Sequence, residues 1–334
     1  ILSGLPFSHV FGQVVIMLAG LTAGATLQLA PRPAPDLLYA DLQAVNPTIL
    51  VGVPTTIAAL AALGHREPAT AREGARNLRL VATGGSGMPR ATGEAFAEVF
   101  GHQVLQGYGM TEVCGCIAVA DMDGPAGGDV GTVWPIFDWK VEPTDPECDT
   151  RGELFIRGSN VMRGYYINGV LQPRQPEDWF ATGDVVELAG DGRITIVDRK
   201  KEMIIRGGYN VYPSEVEAVL TSHPDVALAA VAGIPHDELG EEIAAFVTLS
   251  SDTGLEPDAL KQWARDRIAL YKYPRHVIVL DEMPTNPTGK ILKKALPLDA
   301  LVNSASDASP QAAKAVRRQT SKGLLHRIFR SKSP

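Results

Sequence analysis

The apolar positions in the first part of the chain alternate between two spacings. Short apolar-rich runs at residues 48–54 and 78–85 predict buried strands, and helical spacing over residues 36–45 and 89–100 predicts helices. The run at residues 14–24 predicts a helix buried in the core. Strands that alternate with helices indicate a mostly parallel sheet with helices on its faces.

The pattern changes twice further along the chain. Residues 128–198 hold short strand-like runs separated by Gly, Pro and Asp, which indicates an antiparallel, barrel-like β unit. From Arg199 the chain mixes helical and strand spacing, and Ser214 and Glu217 stand at the spacing of a capping box. The predicted fold class is therefore α/β plus α+β. The predicted domains are 1–198, a small domain at 199–297 and a polar, flexible tail at 298–334.

Composition narrows the function classes. The chain has 334 residues, 45% of them hydrophobic and 21% charged, with a formal net charge of -7, which fits two domains and argues against nucleic-acid binding. Three cysteines favour a reducing, cytoplasmic compartment, and Cys114 and Cys116 are read as buried small residues rather than metal ligands. The basic, amphipathic stretch 323–332 allows weak peripheral contact with an anionic membrane, although a frayed terminus is favoured.

Two glycine-rich loops follow predicted strands. The loop at 83–90 lacks the Lys of a Walker loop and the third Gly of a dinucleotide loop, so it is by itself an ordinary strand-to-helix turn. The second, at 106–112, presents Thr111 and Glu112 beside glycines that free the backbone. This hydroxyl and carboxylate suit a phosphate with Mg²⁺, and the alternative is a surface turn with a solvated Glu112.

Three further segments carry candidate polar groups. Asp184 follows a Thr-Gly turn at the start of a predicted strand and could accept hydrogen bonds from a ribose, or be an ordinary turn residue. A basic junction could bind a polyphosphate or be a solvated linker; it comprises Arg199, Lys200, Lys201 and Arg206. Lys290 stands in a Pro-flanked Thr-Gly turn before a predicted helix. A mobile loop could bring its charge onto a reacting phosphate, or the segment is an ordinary basic turn beside Lys293 and Lys294.

In this order the motifs resemble the adenylate-forming superfamily, which includes acyl-CoA synthetases, peptide-synthetase adenylation domains and beetle luciferases. LPFSHVFGQ near the start and KEMIIRGGYNVYPSEVE after residue 200 are most similar to fatty acyl-CoA synthetases. The similarity runs from Ile1 to about Leu296. It implies a large domain with a parallel sheet and a barrel-like β subdomain, followed by a small mobile α+β domain.

The resemblance also implies a reaction. A carboxylic acid, most simply a fatty acid, attacks the α-phosphate of ATP with Mg²⁺, and CoA then displaces AMP from the acyl-adenylate. Lys290, Thr111 and Glu112 would be catalytic, and Glu112 would hold Mg²⁺. Nucleotide contacts are implied for Gly84, Gly85, Ser86, Gln106, Gly107, Tyr108, Gly109, Thr111, Asp184, Ile196, Arg199 and Lys290. His9 would border the acyl pocket, Gly207 and Gly208 would line the CoA tunnel, and Lys201 would be the hinge.

One departure from the superfamily bears on activity. Its Gly/Ser/Thr-rich phosphate loop, which ends in Lys, should precede the LPFSHVFG stretch, and we find no substitute for it in these residues. We therefore expect an N-terminally truncated fragment that adenylates poorly and retains part of the thioester-forming step.

Two alternatives stay open. An adenylation domain that loads a carrier protein would share these motifs, although no carrier motif follows Leu296. A non-catalytic nucleotide-binding protein is the other alternative. Glu112, Asp184, Arg199 and Lys290 are all intact, which argues against it for the parent protein.

Overall fold

The structure is a computed structural model that describes residues 1–30, 34–122, 128–145, 148–250, 254–286, 290–298 and 301. It divides into two compact units. The first comprises Ile1–Met203 with Thr285–Ile291, and the second comprises Ile204–Pro284 with Leu292–Pro334. The sequence places a domain boundary at Arg199, whereas the division between the units falls after Met203.

A six-stranded sheet organises the start of the first unit. In spatial order the strands run β2-β1-β3-β4-β5-β6, parallel except for β6, which is antiparallel to β5. The strands are β1 (Leu2–Ser3), β2 (Gln28–Leu29), β3 (Ile49–Gly52), β4 (Leu80–Thr83), β5 (Leu105–Met110) and β6 (Gly115–Val119). The predicted α/β arrangement is confirmed, and β4 ends where the first candidate loop begins.

Five α-helices accompany this sheet, and local chemistry sets several of their ends. They are α1 (Ala19–Thr22), α2 (Pro35–Val45), α3 (Pro54–Arg66), α4 (Pro68–Ala75) and α5 (Arg90–Phe100). Three begin at a proline, whose missing N–H costs nothing in the first turn. A left-handed residue ends α2 at Asn46 and α5 at Gly101. The helices bury a common core that includes Leu42, Ile57, Leu60 and Phe96.

The predicted buried helix at residues 14–24 is only partly correct. The segment forms a π-helix, Phe11–Leu18, that continues into α1. Ile16 and Gly20 are buried, but Leu18 and Leu21 are 50% and 60% exposed. A run that is apolar on every side therefore buries only one side here.

The rest of the first unit is antiparallel. A four-stranded sheet in the order β12-β11-β8-β7 packs around a core that includes Leu154, Ile156 and Val186. Two more strands, β9 and β10, form a separate hairpin. The strands are β7 (Phe137–Pro143), β8 (Arg151–Gly158), β9 (Gly164–Ile167), β10 (Val170–Pro173), β11 (Phe180–Leu188) and β12 (Ile194–Arg199). No α-helix interrupts the described part of 128–199, as the pattern predicts.

The second unit is a small α+β domain with a five-stranded sheet. Its strands are β13 (Ile204–Arg206), β14 (Tyr209–Val211), β15 (Val226–His236), β16 (Gly240–Leu249) and β17 (His276–Val279). The sheet is antiparallel except for the pairing of β17 with β16. The helices α6 (Pro213–Thr221) and α7 (Pro257–Arg265) complete a core around Val216, Val231 and Leu260.

Three local predictions are wrong. The capping box predicts Ser214 as the N-cap, whereas α6 begins at Pro213 with Tyr212 as its N-cap. Glu217 accepts a hydrogen bond from the Val231 N–H at 2.8 Å. A 3₁₀ turn, Lys293–Ala295, replaces the helix predicted after Lys290. Cys114 is exposed rather than buried.

The predicted tail falls almost wholly on residues 302–334, which lie outside the described residues. In the described part of the chain no helix has the length and apolar character that crossing a membrane requires.

Candidate nucleotide site

Asp184 lies inside β11 rather than in a turn at its start, so the predicted position is corrected. It pairs with Arg199 across the β11–β12 ladder. Pairing with β8 is interrupted between Ala181 and Val185, and Gly183 takes a φ of +73°. The Thr182 hydroxyl accepts a hydrogen bond from the Asp184 N–H at 3.1 Å and donates to the Leu154 carbonyl at 2.8 Å. The Thr-Gly-Asp sequence is therefore a bulge within a strand.

Two side chains hold the Asp184 carboxylate. The Tyr108 hydroxyl donates to Oδ2 at 2.6 Å, and Arg199 Nε lies 2.6 Å from Oδ1. Asp184 is only 2% exposed. Burial raises its pKa, while the Arg199 charge, the Tyr108 hydrogen bond and the Lys290 charge oppose that rise. One oxygen accepts a hydrogen bond and the other faces a guanidinium charge, so this geometry suits the ionised carboxylate.

Tyr108 is fixed by the same arrangement. Burial and the neighbouring Asp184 charge hold the pKa of the Tyr108 hydroxyl well above its ordinary value, so Tyr108 acts as a hydrogen-bond donor. The cluster of Tyr108, Asp184 and Arg199 thus joins the end of the parallel sheet to the antiparallel one.

Only the first glycine-rich segment is a loop. Residues 106–110 of the second, predicted as a loop after a strand, lie within β5, and only Thr111 and Glu112 follow it. β4 pairs with β5 through Thr83 and Gln106, so Gly84, Gly85 and Ser86 leave the sheet beside β5. The Met88 N–H donates to Gln106 Oε1 at 3.3 Å, which ties the first loop to β5. Gly85 has a φ of +88°, which favours glycine.

At two other positions of these segments, close packing leaves little room for any side chain. A Cβ on Gly84 would lie 3.3 Å from the Phe11 ring, and one on Gly109 would lie 1.6 Å from the Gly115 carbonyl oxygen. Gly107 lies two residues before Gly109 on β5 and is paired with Val119 of β6.

Thr111 and Glu112 share a 3₁₀ turn, Thr111–Val113, directly after β5. Thr111 is exposed and Glu112 is half-buried. The Tyr165 hydroxyl donates to Glu112 Oε1 at 2.8 Å, and the Met162 N–H donates to the Glu112 carbonyl at 2.7 Å. Burial raises the pKa of Tyr165, and its hydrogen bond to Glu112 adds to that rise.

These residues fit a Mg²⁺ ion that arrives with a nucleotide. Among the described residues no three His, Cys, Asp or Glu side chains cluster as a protein-only metal site. Mg²⁺ is commonly held by one or two carboxylates together with substrate phosphates. The single carboxylate of Glu112 beside the Thr111 hydroxyl matches that donor set.

Lys290 is exposed on a loop, and Thr285 and Ile291 pair with each other on either side of it. Asn286 hydrogen-bonds both the N–H and the carbonyl of Lys290. Asn286 Oδ1 accepts from the Lys290 N–H at 2.9 Å, and the Asn286 N–H donates to the Lys290 carbonyl at 2.9 Å. Thr288 and Gly289 of the predicted turn lie outside the described residues. The loop groups with the first unit.

Five other residues are predicted site residues. His9 is exposed before the π-helix, where its Nδ1 accepts from the Phe11 N–H at 3.2 Å. Ile196 on β12 packs against the core of the antiparallel sheet. Lys201 is exposed in the 3₁₀ turn Lys200–Glu202, just before the units divide. Gly207 and Gly208 lie in the second unit, between β13 and β14, with φ of +57° and +84°.

Three residues that hold the candidate site residues in place were not predicted from the sequence. Thr182 supports the bulge, and Tyr165 holds Glu112. Glu153 is buried and lies 2.6 Å from Lys200 Nζ, which fastens the residue before the predicted hinge to β8. The basic junction was recognised, but its buried acidic partner stands 47 residues earlier and is joined to it only by the fold.

The sequence matches known families in two places. Residues 1–166 match the family described as AMP-binding enzyme, and residues 215–290 match the AMP-binding enzyme C-terminal domain. The chain belongs to the family of AMP-binding enzymes. The resemblance to adenylate-forming enzymes and the predicted fold class are thereby confirmed.

Similar curated proteins are CoA ligases. A feruloyl-CoA synthase from an Amycolatopsis species is 34% identical over 296 residues, covering 86% of this chain and 59% of that protein. A long-chain-fatty-acid–CoA ligase from Yersinia pestis is 33% identical and covers 89% of this chain and 53% of that protein. The chain thus spans a little over half the length of these relatives.

Solved structures of related enzymes have the same fold. ATP-bound MatB from Rhodopseudomonas palustris superposes with a TM-score of 0.77 at 30% identity, covering 92% of this chain and 60% of that one. The o-succinylbenzoate CoA synthetase of Bacillus subtilis, in complex with its acyl-adenylate intermediate, gives 0.74 at 30% identity and covers 89% and 60%.

Proposed function

We propose that the chain carries the nucleotide-binding and thioester-forming residues of an AMP-forming carboxylic acid–CoA ligase. The observation that carries the proposal is the buried Asp184, held between Tyr108 and Arg199 next to the glycine-rich segments. A carboxylate fixed in this way can accept hydrogen bonds from the two hydroxyls of a ribose. The CoA ligases among its relatives support the reaction class.

Each half-reaction needs different groups. Attack of a carboxylate on the α-phosphate brings two anions together, so positive charge must neutralise the transition state. We assign that role to Lys290, whose charge already acts on Asp184. A Mg²⁺ ion held by Glu112 would supply further neutralisation when bound with ATP. Thr111 would donate to the α-phosphate, while Gln106, Gly107, Tyr108 and Gly109 would frame the adenine.

The second half-reaction needs access for CoA rather than charge on the phosphate. We assign Gly207 and Gly208 to the pantetheine path, because glycines there leave room close to the backbone. Lys201 is assigned as the hinge, since it stands just before the division between the units. Lys290 is needed in the first half-reaction only, and such a residue is well placed on a segment that moves between the two half-reactions.

The acyl substrate is proposed to be a fatty acid, and an aromatic acid is the alternative. Relatives act on both classes by name, feruloyl-CoA synthase among the aromatic ones. His9 and the neighbouring Phe11, which lies against Gly84, would border the acyl group. Loading of a carrier protein instead of CoA is the second candidate acceptor. A cytoplasmic location with peripheral membrane contact stays a prediction, since stretch 323–332 lies outside the described residues.

A thioester assay on the 334-residue chain tests this proposal. Preformed oleoyl-adenylate or feruloyl-adenylate is supplied with CoA, and acyl-CoA is followed by mass spectrometry. We expect acyl-CoA and AMP to form, faster with the oleoyl compound. Equal turnover with a phosphopantetheinylated carrier protein would favour the second acceptor. Absence of both thioester formation and AMP binding would refute the proposal.

A further inference from the structure

The hairpin β9–β10 carries a tyrosine onto the predicted metal carboxylate. Tyr165 is the second residue of β9, and its hydroxyl donates to Glu112 Oε1 at 2.8 Å. Gly164 fixes the start of the hairpin, because its φ is +148° and a Cβ there would lie 1.9 Å from the Gln172 carbonyl oxygen. The position of the Tyr165 side chain therefore follows from the hairpin geometry.

The hydrogen bond from Tyr165 reaches one carboxylate oxygen of Glu112, Oε1, and does not involve Oε2. Among the described residues, the Glu112 side chain has its hydrogen bond at Oε1, so Oε2 keeps its acceptor capacity. The backbone of Glu112 is held separately by the Met162 N–H at 2.7 Å. The Tyr165 hydroxyl therefore contacts the carboxylate and not the backbone of the 3₁₀ turn.

We propose that Tyr165 is a positioning residue that orients the Glu112 carboxylate for a nucleotide-bound divalent cation. The inference rests on the proposed function, which assigns Glu112 to Mg²⁺. A free glutamate loses rotamer freedom when it is ordered, and this entropy loss opposes metal binding. A hydrogen bond that orders it beforehand removes part of that cost. Carboxylates that bind metals are commonly hydrogen-bonded in this way, and losing the partner typically weakens metal affinity about 10–100-fold.

Electron paramagnetic resonance of Mn²⁺ with ATP and the full chain measures this effect directly. We expect Tyr165→Phe to weaken Mn²⁺ binding about tenfold. The matched control is Tyr166→Phe, the same change on the next residue, which is 74% exposed; it should bind Mn²⁺ like the unmodified chain. Glu112→Gln should weaken binding at least as much as Tyr165→Phe.

Affinity for AMP without metal separates positioning from folding. Positioning predicts that Tyr165→Phe leaves it unchanged, and a parallel loss of AMP and Mn²⁺ affinity would show a structural role instead. If Glu112→Gln weakens Mn²⁺ binding while Tyr165→Phe matches Tyr166→Phe, the inference is wrong and the metal assignment stands. If Glu112→Gln has no effect, or the unmodified chain retains no Mn²⁺ with ATP, the metal assignment fails and the inference falls with it.

Discussion

At the residue scale, the structural setting of Asp184 differs from the one that its local sequence predicts. A short acidic side chain after Thr-Gly is typical of a turn, and the sequence indicates that reading. The structure places Asp184 in a strand bulge instead, with its carboxylate buried between Tyr108 and Arg199. Those partners stand 76 residues before it and 15 after it. No local pattern reports such a contact, so the residue could be predicted but its setting could not.

Replacing Asp184 by Asn should reduce AMP affinity. The amide keeps the size of the side chain but cannot accept two hydrogen bonds with full negative charge, and it leaves Arg199 without its ionic partner. Hydrogen bonds to charged groups contribute about 1.5–3 kcal/mol, so we expect a loss of roughly 10–100-fold by isothermal titration calorimetry.

The matched control is Asp138→Asn. Asp138 also pairs with an arginine, Arg157, at 2.8 Å, but on an exposed part of β7. Exposed pairs contribute little, and AMP affinity should stay as it is. Similar losses in both variants would argue against a ribose role for Asp184.

The elements were predicted with unequal success, and the reasons are physical. Helices such as α2 and α5 are predicted by their apolar spacing and by the Pro, Asn or Gly at their ends. The capping-box prediction is wrong because α6 already begins at Pro213, so Ser214 lies inside the helix rather than at its N-cap. Glu217 contacts two tertiary partners, the Val231 N–H and Lys293, each at 2.8 Å. The β9–β10 hairpin has no apolar alternation that marks an inner face, and its tie to Glu112 was not predicted.

The β5–β6 hairpin depends on a glycine that no side chain can replace. A Cβ on Gly109 would lie 1.6 Å from the Gly115 carbonyl oxygen, which belongs to the facing backbone and cannot rotate away. Gly109→Ala must therefore displace one strand. We expect the free energy of unfolding, measured with urea, to fall by about 1–3 kcal/mol or more.

Gly87→Ala is the control, since a Cβ at Gly87 would have no neighbour within 4 Å. Both changes replace Gly by Ala, so the effect of lost glycine freedom in the unfolded chain is common to the two variants. An equal change in unfolding free energy for the two variants would mean that the hairpin relaxes without cost.

At the scale of the whole molecule, one loop belongs to a different unit from the residues on either side of it in the chain. Thr285–Ile291 groups with the first unit, whereas Pro284 and Leu292 on either side belong to the second. The loop carries Lys290, whose charge opposes the raised pKa of Asp184. The sequence indicated a mobile lysine loop from its Pro, Thr and Gly residues, but which unit it joins depends on the folded chain.

Lys290 should therefore matter to one half-reaction and not to the other. In Lys290→Ala, single-turnover formation of acyl-adenylate from acid and labelled ATP should fall about 100–1000-fold, as for other groups that stabilise transition-state charge. Thioester formation from preformed acyl-adenylate and CoA should be unchanged, because no carboxylate anion attacks a phosphate in that step. Lys294→Ala removes an exposed charge four residues on and should alter neither reaction. Equal losses in both half-reactions would indicate a structural lysine, and no loss in adenylation would remove Lys290 from the mechanism.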